Sequence, residues 1–160
     1  MLTFLILYRI IVSLIMKGNG GTLMYIIMCL DTQNGLMFNK RRQSRDREII
    51  KDMLELSDGR LFAGMYSARL FSESAKVTLS NDAFPFGAGD DDYCFAECAV
   101  PNEIAKDAQG FVLYKWNKLY PCDLTFDLDL DANGFICEKV TEFSGYSHDV
   151  ITKEIWRKRS

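Results

Sequence analysis

Apolar and polar positions alternate most regularly in the C-terminal third of the chain. In residues 123–130 (DLTFDLDL), Leu124, Phe126, Leu128 and Leu130 fall on one face and Asp123, Thr125, Asp127 and Asp129 on the other. Period two over this length is the signature of a half-buried strand. Residues 111–116 (FVLYKW) form an aromatic and branched run just before it. The two runs predict facing strands across a short polar break. The following Asp131-Ala-Asn133-Gly134 predicts a tight turn, with Asn-Gly supplying positive φ angles. Residues 135–143 and 150–157 continue as extended runs, so this third reads as an antiparallel sheet.

Upstream the pattern changes. Residues 24–30 (MYIIMCL) are continuously apolar over strand length, which predicts a central strand covered on both faces. Asp31–Gly35 is a turn-rich exit, and residues 39–42 (NKRR) read as a basic loop. Ser44 is placed to cap a helix whose stripe is Ile49, Ile50, Met53, Leu54 and Leu56, ending near Ser57-Asp58-Gly59. Residues 60–63 predict a second inner strand, and Ser67 after Gly64 predicts the cap of a helix over 68–74. A strand, a glycine and a helix start in succession form an arrangement that holds phosphate. Short strands are expected at 77–79 and 93–96, a loop at 84–92 and a short helix at 101–108.

Length and charge bound this picture. A chain of 160 residues suits one domain with a real core, here assigned to residues 24–160. Residues 1–23 are an apolar extension interrupted by Arg9. It matches neither a spanning helix, where a central Arg costs about 3 kcal/mol, nor a signal peptide, whose charge precedes its apolar run. Two readings stand: a mis-assigned start with translation beginning at Met24, or a membrane tether. The net charge of −3 argues against nucleic acid as a partner. Five cysteines, an odd count, do not resemble a disulfide framework and read as reduced thiols of a cytoplasmic protein.

Few residues suggest chemistry. Asp129, Asp131, Asn133 and Gly134 resemble the start of a calcium loop, but Val140 stands at the twelfth position where a bidentate Glu is required. Cys94 and Cys98 lack a second pair at zinc-finger spacing, and His148 is the only histidine, so no metal site is expected. The cluster 40–47 (KRRQSRDR) is either a solvated loop and helix start or an anion contact. Within it, Asp46 is the best single acid candidate. At the mouth of a sheet crevice its carboxylate would fix the amino and ring N–H groups of a flat heterocycle, a small-molecule partner.

The order of elements over residues 24–159 resembles dihydrofolate reductase. IIMCLDTQNGLMF is similar to that family's first strand and the glycine-containing loop that closes over substrate. Asp46 falls, within one residue of spacing, where the family carries its substrate-binding acid, which makes it the candidate catalytic residue. RLFAGMYSARLF resembles the second strand and following helix, whose glycine and helix start hold cofactor phosphate; this implies Gly64 and Ser67 as cofactor-binding candidates. FVLYKWNKLYPCDLTFDLDLD resembles the late strand, loop and Asp-x-x-Phe strand, and EFSGYSHDVITKEIWRK the final hairpin strand. The resemblance implies an α/β fold: a mixed sheet with flanking helices and a C-terminal antiparallel hairpin. It also implies NADPH as cofactor.

Departures from the family's pattern fall on the cofactor side. Met65 and Tyr66 stand beside Ser67 where basic and hydroxyl residues are expected, and Ala96-Glu97 replaces a glycine pair that lets backbone approach a pyrophosphate. A Cβ blocks that approach and a carboxylate repels phosphate. The stretch 74–93 is short for an adenosine pocket, and the closing loop lacks the family's tryptophan. A divergent or non-catalytic small-molecule binder without a cofactor is therefore the leading expectation. An NADPH-dependent reductase with an altered site is the alternative. A narrower similarity, in LMFNKRRQSRDR and YKWNKLYP…FDLDL, is to short bacterial proteins labelled ribonuclease Z. That label implies RNA processing, yet one histidine cannot supply a HxHxDH metallo-hydrolase site.

Overall fold

The computed structural model describes residues 23–81, 89–100 and 102–159, together with position 7. The expected extension over residues 1–23 lies outside the described residues except at Leu7 and Leu23, as does much of the loop 84–92. No helix among the described residues is long and apolar enough to cross a membrane.

The continuous apolar run becomes β1 (Leu23–Leu30), between β6 (Tyr93–Phe95) and β7 (Ala108–Lys115) and parallel to both. Alternate side chains of a strand point to opposite faces, and here each face is covered. Met24, Ile26 and Met28 pack with Phe111, Leu113 and Phe135 on one side. Ile27 packs with Ile49, Met53 and Tyr114 on the other. Beyond β6 come β4 (Leu61–Gly64) and the edge strand β5 (Val77–Ser80), also parallel. On the far side β10 (Ile151–Lys158) runs antiparallel to β7 and β9 (Phe135–Phe143) closes the edge. The sheet order is β5-β4-β6-β1-β7-β10-β9. The expected mixed sheet with a C-terminal antiparallel hairpin is the observed architecture.

Helix α1 (Arg47–Ser57) buries Ile49 and Met53 against the sheet and stops at Asp58, whose backbone is left-handed (φ 44°). A short helix α2 (Asn102–Lys106) leads into β7. Three further strands, β2 (Gly35–Phe38), β3 (Arg41–Arg42) and β8 (Leu124–Thr125), make a small second sheet in the order β3-β2-β8.

Several local expectations are corrected. Residues 111–116 and 123–130 do not pair: β7 is already flanked by β1 and β10. Only Leu124 and Thr125 of the alternating run join a ladder, against four-residue β2. Phe126 and Leu130 are still buried and the aspartates exposed. The alternation therefore reports which side faces the core, and it does not require a partner strand. In the turn after it, Gly134 (φ 85°) takes the left-handed backbone and Asn133 does not. The basic loop 39–42 is a two-residue hairpin turn, Asn39 and Lys40 both at positive φ, between Phe38 and its partner Arg41. Asp46, not Ser44, caps α1, accepting from the Glu48 N–H at 2.9 Å; aspartate serves that position as well as serine. Ser67 caps nothing: it lies inside a 3₁₀ helix, Met65–Leu70.

Candidate functional site

The carboxyl ends of parallel strands β1, β4 and β6 meet where the chain leaves in opposite directions, from β1 toward β4 and from β6 toward β7. Such a switch point opens a crevice. Its walls are Cys29 of β1, Ala96 and Glu97 after β6, Arg42 of β3, and Ser44, Asp46 and Ile49 at the start of α1. The enclosed space is about 20 Å³, room for roughly one water.

One side of this crevice is tied by charge. Arg42 and Glu97 form a two-pronged ion pair, Nε to Oε1 at 2.8 Å and Nη2 to Oε2 at 3.0 Å. Planar bidentate contact of this kind is the strongest geometry available to the pair. Ser67 donates its hydroxyl to Glu97 Oε2 at 2.7 Å. The Arg42 guanidinium also covers the Tyr66 ring at 4.5 Å and donates to the Tyr66 carbonyl. Arg42 is held charged above its ordinary range, chiefly by its hydrogen bond to Glu97. Gly64 ends β4 beside this knot, buried and extended (φ −75°), with no side-chain cap for the 3₁₀ helix it precedes. The Cys29 thiol is pushed far up by burial and by Glu97, so it stays protonated.

The other side is a polar cluster around Asp46 and His148. Oδ1 of Asp46 accepts from the N–H groups of Glu48 and Tyr146, both at 2.9 Å. Oδ2 accepts from Ser147 N at 2.9 Å, the Ser147 hydroxyl at 3.3 Å and His148 Nδ1 at 2.9 Å. Burial pushes this carboxyl up, but these hydrogen bonds outweigh it and hold Asp46 well below the usual carboxylate range. An ionised Asp46 accepts the Nδ1 proton of His148, and in the neutral imidazole Nε2 is then the acceptor. Nε2 faces the Tyr120 hydroxyl at 2.8 Å and Ser44 Oγ at 3.2 Å. Trp116 stacks on the imidazole, with centroids 4.7 Å apart and planes 29° apart. The loop between β9 and β10 is thus bound to the start of α1, and Arg47 lies over the Tyr146 ring at 3.5 Å to complete the clasp.

Asp46 lines the crevice and Ser67 reaches it only through Glu97, while Gly64 is not among the lining residues; the Asp46 and Ser67 side chains are both engaged by the protein itself. Sequence reasoning missed Trp116, Tyr120 and His148 as members of the site, took Ser44 for a helix cap and read Arg42 only as part of a basic cluster that could contact an anion. Arg42 and Glu97 carry no local signal that they pair. His148 stood out only as the sole histidine, and nothing in one dimension places it beside Asp46. Among the described residues no His, Cys, Asp and Glu side chains are grouped to hold a metal ion.

Comparison of the coordinates with solved structures finds dihydrofolate reductase from Enterococcus faecalis, complexed with NADP(H) and RAB-propyl. The TM-score is 0.54 and the identity 10%, covering 87% of this chain and 98% of that one. The chain has a dihydrofolate reductase-like fold. No family model matches the sequence, and no curated protein does.

Proposed function

We propose that this protein is a divergent small-molecule binder on a dihydrofolate reductase-like scaffold, without ordinary dinucleotide turnover. The observation that carries the reading is the Glu97 carboxylate, bonded at once to Arg42 and Ser67. A phosphate there would have to displace a negative charge that already satisfies both donors, and its own charge would be repelled. The enzyme class implied by an intact cofactor site is thereby disfavoured.

The ligand reading moves away from Asp46, whose two oxygens already accept from five groups of the chain. Next to the crevice lies an open groove of about 570 Å³, lined by Phe38, Arg41, Arg42, Gln43, Tyr120 and Pro121. That is the size of a small-ligand site. Gln43 Oε1 is, among the described residues, the one buried side-chain oxygen or nitrogen without a hydrogen-bond partner. A flat heterocycle would lie in this groove with its ring against Tyr120 and exposed Phe38.

The test is a fluorescence titration with pterins and substituted pyrimidines on the parent and on Phe38→Ala. Phe38 is 42% exposed, so its truncation should leave the melting temperature unchanged. Binding should weaken about tenfold, the worth of one aromatic contact. Absence of binding to the parent at millimolar ligand sinks the reading.

A further inference from the structure

We propose that Ser44, His148 and Asp46 form a nucleophile, base and orienting acid that accept a short acyl group from an activated ester. The inference shares the open groove with the ligand reading above but does not rest on it. Asp46 Oδ2 to His148 Nδ1 is 2.9 Å and His148 Nε2 to Ser44 Oγ is 3.2 Å. Both distances lie within hydrogen-bond reach for an activated hydroxyl, and the second sits at the loose end usual before substrate arrives. The array is rigid: the Asp46 side chain has no exposure, that of His148 6%, and Trp116 stacks on the ring. The Asp46 carboxylate is fixed by four further bonds.

Position supplies the substrate class. Ser44 lines the enclosed 20 Å³ space, whose neighbours include Ile49, Leu70 and Ala96. Only a methyl-sized acyl tail fits such a space. Arg42 borders both this space and the open groove, so a leaving group extends outward past the Tyr120 ring and exposed Arg41. An aromatic or anionic leaving group suits that surface.

In the reaction, Ser44 Oγ bonds to the carbonyl carbon while its proton passes to His148 Nε2. Asp46 keeps the resulting imidazolium oriented. Collapse breaks the bond between carbonyl carbon and leaving oxygen, and that oxygen takes the proton from Nε2. Water then repeats the sequence on the acyl-serine, releasing a carboxylic acid and restoring the hydroxyl. Tyr120 competes for Nε2 from 2.8 Å, which predicts a slow enzyme.

The experiment treats the full chain with p-nitrophenyl acetate and, separately, with an alkyl fluorophosphonate. The latter forms an Oγ–P bond with loss of fluoride. Adducts are mapped by peptide mass spectrometry. Expected is one adduct per chain on Ser44, absent from folded Ser44→Ala and formed about a hundredfold more slowly in folded His148→Gln. Asp46→Asn should lower the maximal labelling rate about a hundredfold at an unchanged half-saturating probe concentration, a split that a merely structural role would not give. Should the His148 and Asp46 variants unfold, the parent and Ser44→Ala still decide. Labelling of Tyr120 in place of Ser44, or a Ser44 rate no faster than in the heat-unfolded chain, overturns the proposal.

Discussion

At the scale of single residues, two buried aspartates hold loops by accepting hydrogen bonds from several donors. Asp46 ties α1 to residues 146–148. Asp31 accepts from Gln33 N, Gly35 N and Gln43 Nε2 and so fixes the turn between β1 and β2. Burial raises both carboxyls, and the hydrogen bonds more than offset it, so both are held below the ordinary value of 3.8. A carboxyl lowered in the folded state gives stability that is complete above its unfolded value and is lost as pH falls through the folded one. We therefore expect stability to decline below about pH 4. Asp46→Asn should flatten that acid limb while lowering stability at pH 7 by about 2 kcal/mol, from the lost charge-assisted bonds. Urea midpoints taken across pH 2–7 check this. An unchanged acid limb in the variant would mean that Asp46 is not ionised in the way its donors require. None of this was legible in the sequence beyond an acid near a helix start, because its partners lie 100–102 residues away.

At the scale of elements, the inner strand and the first helix could be read directly, because each buries its own periodic residues. The loops could not. The run 123–130 carries the strongest alternation in the chain, yet its burial comes from packing on Phe111, with rings 5.5 Å apart for Phe126, and not from pairing. The hairpin β9–β10 was legible as two extended runs, but its attachment to β7 depends on one close approach. A Cβ on Gly110 would lie 2.0 Å from the Trp156 carbonyl oxygen, beside the bulge between Ile155 and Trp156. Backbone cannot yield there without breaking the ladder. Gly110→Ala should cost about 3 kcal/mol or more and raise hydrogen exchange along β10 before the rest of the sheet. Uniform exchange with little loss of stability would show that the register is not set there.

At the scale of the whole molecule, the order of elements carried the fold, while the site lay in contacts between distant segments. Gly64, Ser67 and Asp46 became candidates through the resemblance to dihydrofolate reductase; Asp46 and Glu97 line one crevice, and Ser67 is bonded to Glu97. What the sequence could not display is that Arg42, 55 residues from Glu97, meets it there, turning an isolated carboxylate into the centre of a closed knot. The expectation that Ala96-Glu97 disfavours a dinucleotide rested on the Ala96 Cβ blocking close approach and on the repulsion of phosphate. Two bound donors now add a third reason. We expect this knot to exclude NADPH. Thermal unfolding with 1 mM NADPH, on the parent and on Glu97→Gly, tests it most directly. A ligand that binds only the folded state must raise the melting temperature, by about 2–4 °C per kcal/mol for a chain of this size. We expect a shift below about 1 °C for the parent and a larger one for Glu97→Gly, whose Arg42 and Ser67 are released. A shift of several degrees in the parent would contradict it and would restore the reductase reading.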